Sequence, residues 1–234
     1  MIADVHYDLR VSNRARNVTL KVNRSDGLVV VVPKDFDRSL LPDILTSRQG
    51  WIDRQLERFE SLPGRFEQDW PPAGIEFNGS GESFRIRYEN TAAAQPDIRR
   101  QGNELTVELP EASTDEELVA LLVRWMKRYA QEYCDCLASQ LSVQTGLRFN
   151  KVVVRGQKTR WGSFSSRGTL SLNYKLLFLP EPLLRHVILH ELAHSVHMDH
   201  SKAFWALLEN IDPNSRVHDR QLSEGWKYLP TWLE

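Results

Sequence analysis

The sequence predicts an α+β protein: a β-rich N-terminal region over residues 1–112 with one helix near 39–62, then a helix-rich domain over 113–234. Three observations point there. Short apolar runs broken by glycine-bearing turns fill the first half. A capping box followed by apolar residues every three or four positions opens the second. Near its end, HELAHSVHMDHSKAFW, His190 to Trp205, puts four histidines within eleven positions beside one glutamate.

In chain order, VHYDLR and NVTLKV read as strands, and SDG turns the chain into LVVVVP, making a small antiparallel sheet. The basic residues Arg10, Arg14, Arg16, Lys21 and Arg24 then read as the solvated face of a hairpin. Leu41, Ile44, Leu45, Ile52, Leu56 and Phe59 keep helical spacing from Ser39 to Leu62, with Gly50 a weak point. LPGRFEQDWPPAG reads as a linker. Two hairpins follow, IEFNGSGESFRIRYE turning at Asn-Gly and DIRRQGNELTVELP at Gly102-Asn103.

Thr114 and Glu117 form the capping box of a long helix that ends near Gly146. Val119, Leu122, Met126, Tyr129, Tyr133, Leu137 and Leu141 share its inward face. KVVV is a short strand, TRWGSFSSRG a loop and TLSLN another strand. Pro180 and Pro182 open the histidine-bearing helix. Ser201 caps a further helix that turns Phe204, Leu207, Leu208 and Ile211 inward and stops at Asp212-Pro213. The tail WKYLPTWLE is aromatic enough to pack back on the domain.

Composition narrows the function. A net charge of −1 gives no warrant for nucleic-acid binding. MIADVHYDLR lacks the apolar core of a secretory signal, and no run approaches the ~20 apolar residues of a membrane span. Cys134 and Cys136 are two apart on a helix and point to different sides, so they cannot share a metal. A reduced, cytoplasmic location is the expectation.

On a helix, His186, His190, His194 and His197 lie along one stripe, with Ile188, Leu192 and Val196 opposite. Only adjacent members of the stripe can chelate one ion. His190 and His194 place Glu191 directly after the first ligand, as metal-assisted hydrolysis requires; the neighbouring pairs would place Val187 or Ser195 there. A third ligand leaves the fourth position for water. His200 can supply it if the helix ends near Met198-Asp199; Glu209 and Glu224 are its rivals. A metal-free helix and a purely structural zinc are the plainer alternatives.

RWGSFSSRGTLSLNYKLLFLP followed by VILHELAHSVHMDHSKAFW resembles the YgjP-like metallopeptidase family, relatives of the SprT-like and other zincin zinc peptidases. SNRARNVTLKV, the VVVP strand and QGWIDRQLERF extend the likeness weakly toward the N-terminus. The resemblance implies a zincin-like catalytic domain, one Zn2+ per chain on His190, His194 and His200, and Glu191 as general base. The family's loop usually reads WGSCSS; Phe164 stands at the cysteine here, so no thiol acts at that position.

The expected reaction is peptide hydrolysis on a peptide or protein substrate, with TLSLN pairing to an extended peptide. Arg160, Tyr174, His197 and His218 are candidate substrate or transition-state contacts. Two other functions fit the sequence. The cluster Arg155, Lys158, Arg160 and Arg167 would suit an anionic substrate such as a nucleotide phosphoanhydride. A nucleic-acid- or protein-binding module with a structural zinc would leave Glu191 without a task.

Overall fold

The computed structural model describes residues 7–12, 15–23, 27–60 and 70–233, with the backbone alone given for 21–23 and 55–60. The chain forms two compact units, divided between residues 68 and 69. Ser25 and Asp26 of the expected SDG turn and most of the expected linker lie outside the described residues.

In the first unit, strand β3 (Gly27–Pro33) is flanked by β1 (Tyr7–Ser12) and β2 (Thr19–Asn23). The sheet is not wholly antiparallel as expected: β2 runs antiparallel to β3, but β1 runs parallel to it. The cause is the apolar run of β3. Leu28, Val29, Val30 and Val32 are all buried, so this strand needs cover on both faces and both edges. Helix α1 (Leu41–Glu60) packs on the sheet and adds Leu41 and Ile52 to that core.

The second unit begins with a four-stranded sheet ordered β4-β5-β7-β6: β4 (Gly74–Phe77), β5 (Glu82–Thr91), β6 (Asp97–Gln101) and β7 (Glu104–Pro110). Both expected hairpins form, and Gly81 and Gly102 take the left-handed conformation that their turns require, at φ 71° and 60°. The expected boundary at 112/113 falls inside this unit. Aromatic packing is the reason: Phe77 and Phe84 from the sheet contact Trp125 and Tyr129 of helix α2 (Asp115–Thr145) at 5.1–6.1 Å between ring centres. Helix α2 starts at the capping box, with Thr114 accepting from Glu117 N–H and Glu117 from Thr114 N–H. It ends at Gly146, φ 74°.

A three-stranded sheet, β8-β10-β9, follows: β8 (Lys151–Arg155), β9 (Gly162–Phe164) and β10 (Thr169–Asn173). Two expectations change here. Part of the expected loop 159–168 is strand β9, and β10 lies at the centre with both edges already paired. Leu170, Leu172 and Asn173 of β10 are fully buried, which fits a central strand and not a substrate-facing one. The edge strands are β8 and β9.

Helix α3 (Glu181–Ala193) packs against β9, β10, α2 and the two later helices α4 (Lys202–Ile211) and α5 (Ser215–Leu222). Ile188 and Leu192 are fully buried. The helix ends five residues before the expected break, so Val196 is 57% exposed instead of inward. The tail does return to the unit: Trp226 stacks on Trp161 at 4.1 Å, and Trp232 is buried beside Trp70.

Candidate metal centre

Three imidazoles converge where α3 ends. His190 lies in the last turn of α3, His194 is its C-cap residue, and His200 follows a five-residue excursion, just before Ser201 caps α4. Ring centres stand 5.2 Å apart for His190–His194, 5.1 Å for His190–His200 and 4.8 Å for His194–His200. One nitrogen from each lies within 4.8 Å of the other two. His190 Nε2 and His200 Nε2 are 3.0 Å apart.

The turn that returns His200 is built from the motif itself. His194 Nδ1 lies 2.9 Å from the His197 carbonyl. A carbonyl only accepts, so Nδ1 carries the proton and Nε2 keeps a lone pair for the cluster. Ser195, Val196 and His197 N–H groups bond back to Leu192 and Ala193 carbonyls, closing the helix early. Phe204, fully buried in the first turns of α4, forms a floor: its ring lies 5.0, 4.6 and 4.9 Å from His190, His194 and His200.

The donor chemistry fits a metal ion. Ligands to one tetrahedral ion at 2.0–2.1 Å stand about 3.3 Å apart, and the His190–His200 nitrogens at 3.0 Å come close to that. Burial pushes the His190 pKa down to about 3, and the neighbouring histidines push the same way. Burial also lowers His194, against the opposing bond to His197. These two imidazoles are therefore neutral, the state that binds metal. Glu209 and Glu224, the rival third ligands, are exposed and face Arg216 at 2.7 Å and Lys227 at 3.0 Å instead.

Glu191 projects to the β9 side and is 8% exposed. Burial raises its pKa to about 7, opposed by the charge of Arg160 and a hydrogen bond from the Phe164 backbone N–H. Gly162 lies so close that a Cβ there would stand 2.8 Å from Glu191 Oε1. The carboxylate is thus packed against Gly162 of β9, a position that sequence reading did not single out. The cysteine-to-phenylalanine departure leaves that N–H in place.

The other candidates separate. Arg160 is exposed, and its charge acts on Glu191. Tyr174 is buried under Lys127 Nζ, 5.6 Å above its ring, and burial pushes its hydroxyl up to about 12. His197 contributes its carbonyl to His194, while His218 Nδ1 lies 3.0 Å from Asp212 Oδ2. Arg167 belongs to a separate surface cleft of about 480 Å³, lined also by Arg148, Asn150, Ser166, Ser195 and Val196. None of the three imidazoles lines that cleft, and of the basic cluster only Arg167 does.

Neutral imidazoles gathered beside a buried carboxylate, on an α+β scaffold, define a candidate metal-dependent hydrolase. Residues 16–225 match the family described as YgjP-like, metallopeptidase domain, and the chain belongs to that family. Membership implies a divalent metal and a peptide or protein substrate. No curated protein matches the chain. Among solved structures it is similar to the metallopeptidase zymogen of Pyrococcus abyssi abylysin, at 27% identity over 38% of this chain and 90% of that one, with a TM-score of 0.34. No helix among the described residues is long and apolar enough to cross a membrane.

Proposed function

We propose that the protein is a zincin-like zinc peptidase in which His190, His194 and His200 hold one ion and Glu191 is the general base. The carrying observation is the meeting of three ring nitrogens within 4.8 Å, one residue from a buried carboxylate. The chemistry zinc supplies when bound is Lewis-acid activation of water and of the scissile carbonyl. Glu191 takes a proton from the attacking water at its carboxylate and returns it to the leaving amine.

Phe164 N–H and the missing side chain of Gly162 keep the carboxylate in register. The free edge of β9 receives an extended peptide as an added strand, a role the sequence had suggested for β10. Arg160 is the candidate donor best supported by its action on Glu191; His197, His218 and Tyr174 have no such support.

The test assays zinc-loaded protein on unfolded protein and, separately, on nucleoside triphosphates. Cleavage of the protein substrate, abolished by Glu191→Gln with metal retained, is expected. Activity on triphosphates alone overturns the peptidase reading.

A further inference from the structure

One turn before His190, helix α3 carries a second cluster. His186 is fully buried, and its Nδ1 lies 2.6 Å from Asp212 Oδ2. The same oxygen lies 3.0 Å from Nδ1 of His218 in α5. Asp212 itself caps the end of α4, so the cluster ties three helices together.

The shorter contact, His186 to Asp212, is a hydrogen bond and not the edge of a second metal site. Donors around one tetrahedral ion stand about 3.3 Å apart, and 2.6 Å is too close. Burial works against the Asp212 carboxylate, but the bonds from His218 and His186 outweigh it and lower its pKa. An ionised carboxylate only accepts, so each Nδ1 carries a proton. His186 is thereby fixed as one tautomer, with a bare lone pair on Nε2. That Nε2 is closed to solvent and has no hydrogen-bond partner among the described residues. A buried acceptor without a donor is costly.

His190 can supply the missing donor. Its ring centre is 6.0 Å from that of His186, and its Nε2 faces His200. An imidazole that ligates through Nε2 keeps its proton on Nδ1 and needs an acceptor for it. One nitrogen of His186, one of His190 and one carboxylate oxygen of Asp219 lie within 4.8 Å of each other. Asp219 is exposed and has water as an alternative, whereas His186 Nε2 has none.

We propose that His186 is a positioning residue for a metal ligand: locked by Asp212, its Nε2 accepts the Nδ1–H of metal-bound His190. This rests on the assignment of His190 as a ligand. It also makes Asp212 part of the chain that orients the site, from 26 residues away along the sequence.

Zinc affinity, measured by competition with a chromophoric chelator on the full chain, tests it. His186→Phe should weaken zinc binding about 10–100-fold and shift the visible spectrum of the cobalt-loaded protein. His186→Gln, which returns an acceptor near the Nε2 position, should recover most of the affinity, and Asp219→Asn should leave it within about twofold. An unchanged affinity in His186→Phe, or the loss appearing in Asp219→Asn instead, overturns the proposal. So does uptake of two zinc ions by the wild-type chain, which would make the second cluster a metal site. If the wild type takes up no zinc, the ligand assignment itself fails.

Nitrogen-15 spectra of the zinc-loaded wild type give an answer that needs no variant to fold. Protons on Nδ1 of both His186 and His190, slow to exchange, support the chain of bonds; a proton on His186 Nε2 refutes it.

Discussion

Adding one methyl group at Gly162 asks whether the placement of the Glu191 carboxylate limits turnover. A Cβ there would stand 2.8 Å from Glu191 Oε1 and Cγ and 3.1 Å from Cδ. Ordinary contact begins near 3.4 Å, so carboxylate or strand must retreat by roughly 0.6 Å, the difference between the two distances. Gly162 does not have a positive φ, so alanine brings no backbone strain of its own. Misplacing a reacting group by about 1 Å can lower a rate by 10²-fold. Gly162→Ala should therefore lose roughly 10–100-fold in kcat on a peptide substrate. All three of the nearest atoms belong to Glu191, so metal uptake should be retained. The assay follows cleavage of a quenched fluorescent peptide, with zinc content measured on the same sample. A variant that holds its metal and turns over within about twofold of wild type would refute the reasoning.

Three further outcomes are expected. Burial raises Glu191 from 4.5 to about 7, so in the metal-free protein its stabilising contribution is full below pH 4.5 and lost as pH rises through about 7. Metal-free Glu191→Gln, which cannot ionise, should thus be more stable than wild type by ~1–3 kcal/mol near pH ~8, with the gap closing in acid; equal melting temperatures at the higher pH contradict this. Phe204→Ala empties the floor beneath three imidazoles and should cost about 3–5 kcal/mol in chemical denaturation as well as zinc affinity, while Phe204→Leu keeps most of both. Thr114→Ala breaks the capping box of α2 and should cost ~1 kcal/mol by the same measurement, with zinc affinity unchanged.

What could be read from the sequence was local. The Thr114–Glu117 box and the Gly146 terminus depend on residues three or four apart, and both ends of α2 fall where those signals stand. The turn at Gly102-Asn103 is equally short-range, whereas in the first hairpin the left-handed residue is Gly81 and not the Gly79 of the expected Asn-Gly turn. The end of α3 was misplaced because it is set by side chains that pack across the turn. The His194–His197 bond and the Phe204 floor close the helix at Ala193, although the apolar pattern continues to Val196.

Strand partners were hidden for a related reason. Nothing adjacent in sequence says that β1 must cover the second edge of β3, or that β9 lies inside an apparent loop. The unit boundary depends on Phe77 and Phe84 meeting Trp125 and Tyr129, about 40 to 50 residues away, a distance no local pattern carries. In the site, the histidine spacing was legible but its setting was not. Asp212 read only as a helix stop, while its carboxylate joins His186 to His218. Gly162 stood inside the WGSFSS loop that carries the family resemblance, but nothing there marked it as the neighbour of Glu191.

The ligand set is the claim on which the rest depends, and anomalous diffraction at the zinc edge, on crystals of the zinc-loaded chain, tests it most directly. One peak per chain, at about 2.0–2.1 Å from a nitrogen of each of His190, His194 and His200, is the expected result. A peak centred on His186, Asp212 and His218, or none at the three-histidine site, would contradict the account.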